Sequence, residues 1–355
     1  MPVGGRGPGR RAPVFYNPTM AADRDLAVAL VRAFFPVEGP ARTGWEMMGA
    51  TGVRGLRLLA ESGRFGRFVF SEANPEACRV LRGNASRYPG ASVVEGDARN
   101  VPPLAPFDYV DLDPYGTPQP FVRTALGAVR GGGVVAVTAT DMMVLAGAQP
   151  GACRERYGAN PVRGRLGPEG ALRILLAYVS REAESLHRSV RPLLSYVREH
   201  YVRCYAEVTD GRTGPDPAGM IDPREWTGPP VGEHGPYGPL WLGPLFDAPL
   251  VGLLDVPAGA ARPVEVARLL RRLKEEVSVD RPFYYEANVL AKALGLVAPP
   301  SLSAIRDGLR RLDYTSARTH ARPEGFRTDA PRRVVEELAR RLAAPDHSQN
   351  ARVRA

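Results

Sequence analysis

The segment Asp111-Leu112-Asp113-Pro114-Tyr115-Gly116 places a carboxylate, a backbone carbonyl and an aromatic ring side by side. A carboxylate and a carbonyl accept hydrogen bonds from an exocyclic amine, while an aromatic face stacks on a base. The five residues Phe107 to Asp111 read as a strand, and Gly116-Thr117-Pro118 breaks whatever follows. The three groups therefore sit at a strand's C-terminal end, where open α/β sheets bind their ligands. A buried strand end has no use for Asp113. Asp-Pro also occurs in structural turns, so this segment alone does not identify a chemistry.

Other acids follow the same rule of position. Gly49-x-x-Gly52-x-x-Gly55 succeeds the strand candidate Trp45 to Met48, but its spacing is not the G-x-G-x-x-G of a dinucleotide fingerprint. Glu72 comes just after the second strand, where an acid can bind both hydroxyls of a ribose. Asp97 follows the third strand and could orient an adenine amine, with the Ala98 N–H reading the adjacent ring nitrogen. Asp113 follows the fourth. Each acid alone reads as a helix cap. Three of them in strand order behind a glycine turn describe a pocket for S-adenosyl-L-methionine better than one for a nicotinamide.

The elements that must carry these groups alternate. Residues 14–140 show short apolar runs between amphipathic segments, the pattern of a doubly wound parallel sheet. Asn17-Pro18 starts a helix reaching Phe35, and Asn74-Pro75 gives a cap and first-turn pair for Glu76 to Asn84. After the triplet Gly131–Gly133, Val134 to Val137 makes a further strand. Residues 161–190 read as a long helix, and Leu193 to Val208 as strand. From Thr209 to Pro239 the chain is rich in Gly and Pro, a long connection. Helices are expected at Pro263–Val277, Ala287–Leu294, Leu302–Leu312 and Pro331–Leu342, with a strand near Tyr314–Thr319. The expected organisation is a basic arm over 1–13, a Rossmann-like domain over 14–208, the connection 209–239, an α+β unit over 240–343 and a tail over 344–355.

A chain of 355 residues with 44% hydrophobic and 24% charged residues is long enough for two globular domains. The formal charge of +9 favours a polyanionic partner, and Lys274 and Lys292 are the only lysines. Arginine suits bidentate phosphate contacts and base stacking, although a compositional bias of the genome produces the same excess. Cys78, Cys153 and Cys204 are far apart and odd in number, against a disulfide framework or a Cys-x-x-Cys zinc site and consistent with a reducing cytoplasm. No run approaches a membrane span, and Met1 to Pro13 lacks the apolar centre of a signal peptide. That segment reads equally as a flexible basic arm or as a tail without a role.

Five segments together resemble the archaeal and eukaryotic tRNA guanine-26 N2-dimethyltransferases, a class I S-adenosylmethionine-dependent family. They are Val14 to Pro18 with Asp23-Arg24-Asp25, Gly49 to Gly55, Asp111 to Gly116, Thr138 to Asp141, and Ala317 to His320. Gly238 to Gly243 and Arg327 to Pro331 extend the match across both halves. The resemblance implies that Asp113 and Pro114 bind the N2 hydrogens of guanine and that Phe15 and Tyr115 sandwich the flipped-out base. It implies cofactor contacts from Arg24 and Arg54, beside Glu72, Asp97 and Ala98. Glu72 stands where the family commonly has Asp, and Tyr115 where it commonly has Phe. Many members carry a four-cysteine zinc module before Gly-Pro-Leu-Trp-Leu-Gly; residues 209–239 hold no cysteine, so no metal is expected. The C-terminal half is expected to hold tRNA through Arg306, Arg310, Arg311, Arg318, His320, Arg322 and Arg327. No DNA, membrane or protein partner is implied. A DNA amino-methyltransferase and a catalytically silent RNA-binding module are the competing readings.

Overall fold

The computed structural model describes residues 14–100, 106–212, 214, 217–279 and 281–343, so the arm 1–13 and the tail 344–355 lie outside the described residues. Asn17 opens the first helical turn: its side chain accepts from the Thr19 N–H at 3.0 Å and Pro18 follows. Helix α1 (Ala21–Phe34) then buries every residue from Ala22 to Val31. Its charged residues are buried because each has a partner. Asp25 accepts from Arg57 Nη1 at 2.7 Å and from the backbone N–H groups of Ala261 and Arg262 at 3.0 and 2.9 Å.

Strand β1 (Arg42–Glu46) and helix α2 (Val53–Glu61) begin the alternation. It continues through β2 (Phe65–Glu72), α3 (Pro75–Ala85), β3 (Ala91–Glu95), β4 (Phe107–Leu112), α4 (Gln119–Ala128) and β5 (Val129–Ala139). The short α5 (Met142–Leu145) and α6 (Pro150–Tyr157) precede α7 (Gly167–Glu184), β6 (Arg188–Arg198) and β7 (Tyr201–Asp210). The sheet order is β3-β2-β1-β4-β5-β7-β6. Strands β1 to β5 are parallel, and β7 is antiparallel to both β5 and β6. The order reverses between β1 and β4, which puts the ligand crevice beyond their C-terminal ends.

Period-2 alternation divides the sheet residues between two cores. Val110, Val135 and Val137 face the layer containing α4 and α7, while Tyr109, Val134 and Ala136 face α1 and α2. The triplet Gly131–Gly133 lies inside β5 rather than before it. A Cβ on Gly133 would meet the Asp108 carbonyl oxygen at 2.8 Å, and the β4–β5 register shifts at the same place. The long helix is shorter than its apolar pattern, and the segment from Leu193 splits into a hairpin turning at Glu199, whose φ is +47°.

The Gly/Pro-rich connection also contains order: β8 (Ala218–Ile221) pairs with β9 (Tyr237–Trp241). Helices α8 (Ala248–Leu253) and α9 (Pro263–Glu276) turn Leu250, Val251, Val266, Leu270 and Leu273 into the cluster shared with α1. Residues beyond 240 therefore complete the first core. An independent core appears only from Tyr285, where β10 (Tyr285–Glu286), α10 (Ala287–Ala293), α11 (Leu302–Arg311), β11 (Ser316–Arg318), β12 (Gly325–Thr328) and α12 (Arg332–Ala343) enclose Ile305, Leu309, Phe326 and Val335.

The two cores are joined by buried charge. Arg327 donates to Glu169 Oε2 of α7 at 2.8 Å and to Glu276 Oε1 of α9 at 2.5 Å. His320 lies 2.6 Å from Glu276 through Nδ1, and its Nε2 accepts from the Val197 N–H at 3.0 Å. The sequence pattern puts His320 and Arg327 on a basic face toward phosphates; with side chains 1% and 2% exposed they are instead internal cross-links.

Burial alone would raise the Glu276 carboxyl, but the adjoining His320 ring and Arg327 guanidinium outweigh it and hold the group well below the usual carboxylate range. A depressed carboxyl contributes stability above its unfolded pKa and loses it as pH falls toward the folded value. Glu276→Gln should lower neutral-pH stability by about 3–5 kcal/mol, because Arg327 loses half its compensation. Thermal unfolding as a function of pH should also show a shallower decline on the acid side than wild type; an unchanged acid limb contradicts this assignment.

Candidate active site

Strand β4 delivers alternate residues to opposite faces, so Tyr109 and Asp111 point toward α1 and α2. There they meet a buried set of charges. Arg54, 4% exposed at the start of α2, donates through Nη1 to Asp23 Oδ2 and through Nη2 to Asp113 Oδ2, both at 2.7 Å. Its Nε lies 3.7 Å from Asp111 Oδ1. Arg203, fully buried on β7, donates to Asp111 Oδ2 at 2.6 Å and to Thr138 Oγ1 at 2.5 Å. The Tyr109 hydroxyl donates to Asp111 Oδ2 at 2.6 Å, and that of Tyr196 donates to Asp23 Oδ1.

Asp113 is 19% exposed and stands at the rim of this network, with one carboxylate oxygen held by Arg54. Pro114 is buried behind it, whereas Tyr115 is 74% exposed. The turn is braced from β5. The Gly116 N–H donates to Thr140 Oγ1 at 2.7 Å, and the Thr140 N–H returns to the Gly116 carbonyl at 3.0 Å. The Tyr157 hydroxyl lies 2.7 Å from Thr117 Oγ1 and donates to Asp141 at 3.0 Å. The Thr138-Ala139-Thr140-Asp141 segment thus holds the Asp-Pro-Tyr turn from behind.

Phe15 is 47% exposed on the segment before α1. Arg24 reaches back to that segment: Nη1 and Nη2 each donate to the Asn17 carbonyl at 3.2 Å, and the guanidinium lies 5.3 Å from the centre of the Tyr16 ring. Arg24 thus ties α1 to Tyr16 and Asn17, next to Phe15 in the chain.

The remaining acids lie along the ends of β2 and β3. Glu72 accepts from the Ala50 N–H at 2.8 Å and the Asn74 N–H at 2.9 Å, tying the glycine turn to the start of α3. Ala50 sits at φ +45°, a region L-residues rarely occupy, and this carboxylate holds it there. The glycines serve packing: a Cβ on Gly49 or Gly52 would meet Leu81 at 2.7 or 2.4 Å. Asp97 is engaged by Arg99 at 2.5 Å, and Arg99 in turn lies over Phe121. The hydrogen bonds from Arg99 lower the Asp97 pKa. Ala98 is buried beside them. Consecutive carboxylates at adjacent strand ends fit a ribose diol followed by an adenine amine. Among the described residues no group of three or more His, Cys, Asp or Glu comes together to hold a metal ion.

The structure therefore brings Asp113, Pro114 and Tyr115 into one turn and Glu72, Asp97 and Ala98 along the neighbouring strand ends. Arg24 bonds the Asn17 carbonyl, and Arg54 bonds Asp23 and Asp113. Sequence reasoning missed Glu46, Arg203, Tyr109 and Tyr196. Only the alternation of charge within β4, which leaves Asp111 on an apolar strand, could have signalled them.

A seven-stranded sheet with this order and acids at the ends of β2, β3 and β4 has the architecture of a class I methyltransferase. Comparison narrows the class. A model described as N2,N2-dimethylguanosine tRNA methyltransferase matches residues 9–218 and 230–340, and the chain belongs to that family. It is 35% identical to a tRNA (guanine(26)-N(2))-dimethyltransferase of Thermococcus kodakarensis, over 93% of this chain and 94% of the relative. The corresponding protein of Pyrobaculum calidifontis is 33% identical over 93% and 92%. The structure of Trm1 from Pyrococcus horikoshii with S-adenosyl-L-methionine superposes with a TM-score of 0.82 at 28% identity, covering 94% of this chain and 96% of that one.

Beneath the site, Glu46 Oε2 accepts from the Gly55 N–H at 2.9 Å. Burial, and then the nearby Asp111 charge, push its carboxyl up to about 8. Glu46 is thus a neutral acid at pH 7. A raised carboxyl contributes stability below the unfolded pKa that is lost as pH rises toward the folded value. Stability should fall by up to about 1.4 kcal/mol per pH unit between the ordinary carboxylate range and the folded value. Glu46→Gln should remove that dependence in denaturant titrations; the same slope in the variant would show that another group titrates.

Proposed function

We propose that this chain transfers methyl groups from S-adenosyl-L-methionine to the exocyclic N2 of guanine 26 in tRNA, giving N2-methyl- and then N2,N2-dimethylguanosine. The observation that carries the reading is Asp113 at the C-terminal end of β4, one oxygen fixed by Arg54, within a turn that also presents Pro114 and Tyr115. The names of the relatives support position 26 and the tRNA substrate.

Guanine N2 is a poor nucleophile because its lone pair is delocalised into the purine. With Oδ2 on Arg54, Asp113 offers Oδ1 to one N2 hydrogen, and the Pro114 carbonyl accepts the other. These two contacts direct the nitrogen lone pair, while Phe15 and Tyr115 hold the extruded base between their faces. The bound cofactor supplies an electrophilic methyl sulfonium, with Glu72 on the ribose and Asp97 and Ala98 on the adenine. As the N–C bond forms, Asp113 takes the proton that N2 releases. Burial alone would raise the Asp23 carboxyl, but Arg54 and then Arg203 hold it down to about 2, so the network behind Asp113 keeps that charge at neutral pH. The unit from Tyr285 onward holds the tRNA body. No helix among the described residues is long and apolar enough to cross a membrane, and three buried free cysteines suit a cytoplasmic enzyme.

The test uses labelled cofactor with unmodified tRNA, the same tRNA substituted at guanine 26, or duplex DNA, followed by nucleoside analysis. N2-methyl- and N2,N2-dimethylguanosine should appear from the first substrate alone; incorporation into DNA would sink the reading. Asp113→Ala should reduce turnover by about 10²–10⁴-fold while cofactor affinity stays near wild type. Joint loss of cofactor binding and folding would make Asp113 structural.

A further inference from the structure

Charge compensation on this protein is uneven. Many arginines end on an acid, among them Arg188, Arg191, Arg198 and Arg306. The guanidinium groups of Arg268 and Arg272 of α9 and Arg318 of β11 have no carboxylate partner among the described residues. Arg268 and Arg272 lie one turn apart on the partly exposed face of α9, opposite Val266, Leu270 and Leu273. The acids nearest them are committed elsewhere. Glu275 is paired with Arg306 and accepts from the Arg318 N–H, and Glu276 is enclosed by Arg327 and His320.

The cluster is electrostatically unfavourable as it stands. Arg272 Nη1 and Arg318 Nε are both shut off from solvent without a hydrogen-bond acceptor. Burial, and then the charges of Arg318 and Arg268, lower the pKa of Arg272 despite the help of Glu275 and Glu276. Arg318 does not swing away, because its Nη2 donates to the Pro323 carbonyl at 3.0 Å. Like charges held together gain most from an anion, which can reach the exposed Arg268 and the half-buried Arg272 and Arg318.

The position is as informative as the charge. Val202 pairs with Ala139 of β5 and Val197 of β6, so the β6–β7 turn lies on the sheet edge that carries Asp113. Arg198 at that turn is ion-paired to Glu265 of α9, and Val197 is bonded to His320, two residues after Arg318. The cluster thus borders the catalytic edge on the side formed by α9 and β11.

We propose that Arg268, Arg272 and Arg318 form a binding site for the phosphate backbone of the substrate RNA, gripping the strand beside the base that enters the catalytic turn. The inference rests on the tRNA reading above. It differs from the basic face expected of α11: Arg306 and Arg310 there are already neutralised by Glu275 and Asp307.

Two combined variants test it: Arg268→Gln/Arg272→Gln/Arg318→Gln and the same three positions changed to Lys. Binding of unmodified tRNA to the full-length protein is measured over a salt series, alongside cofactor affinity, melting temperature and kcat at saturating tRNA. The Gln variant should bind tRNA at least about tenfold more weakly, with the slope of log affinity against log salt reduced by about 2–3. Its cofactor affinity and melting temperature should match wild type, and the Lys variant should recover most of the slope. Wild-type affinity and slope in the Gln variant, or a Lys variant no better than the Gln one, would overturn the site. If wild-type protein bound tRNA but left guanine 26 unmethylated, the activity would fail while the salt slopes still decided the phosphate site.

Discussion

The contact on which the active site depends is the buried guanidinium of Arg54. Removing such a group from water is costly, and it stays charged only because Asp23, Asp111 and Asp113 surround it. Each acid arrives from a different element: α1, β4 and the turn after β4. The ion cluster therefore fixes the separation of these elements as well as the orientation of Asp113. Arg203 on β7 has the same role, and its neighbours Tyr109 and Tyr205 close that side with hydroxyl and ring contacts. The net contribution of such clusters to stability is small. Their effect is on geometry, since any member displaced leaves another charge unpaired.

A similar device operates between the two cores. Glu169 and Glu276 come from helices of the sheet domain, and Arg327 comes from a strand of the small unit. Because all three side chains are buried, the small unit has one seating on the sheet domain. That seating is anchored at the β6–β7 turn through Val197 and His320, on the edge where Asp113 lies. The orientation of the small unit and that of the Asp113 turn are referred to the same strands.

The legible features of this protein are those set by local periodicity and by strand-end position. The parallel sheet, the Asn17 and Asn74 caps and the helices α9, α10, α11 and α12 follow from such patterns. So does the grouping of Glu72, Asp97 and Asp113 at successive strand ends. Family resemblance added the class of reaction. What could not be read was where long arginines point. Arg327 and His320 look from sequence like a basic strand, but three-dimensional packing places two acids from distant helices beside them. The acids that hold Arg54 come from 31 positions before it and 59 after, a distance no local pattern spans. The membership of α8 and α9 in the first core was also hidden, since their apolar faces match α1 only after the chain has turned back.

That return has a consequence for synthesis. Helix α1 is among the first described segments of the chain, yet none of its residues from Ala22 to Val31 faces solvent. Its Asp25 is satisfied by backbone N–H groups at Ala261 and Arg262, and its apolar side chains share a cluster with Val266, Leu270 and Leu273 of α9. While the chain emerges from the ribosome, α1 has no finished place to go until those residues follow. The buried ion cluster around Arg54, which includes Asp23, must wait with it. A sheet domain whose strands come mostly from the N-terminal half is thus closed, as a folded object, by the C-terminal half.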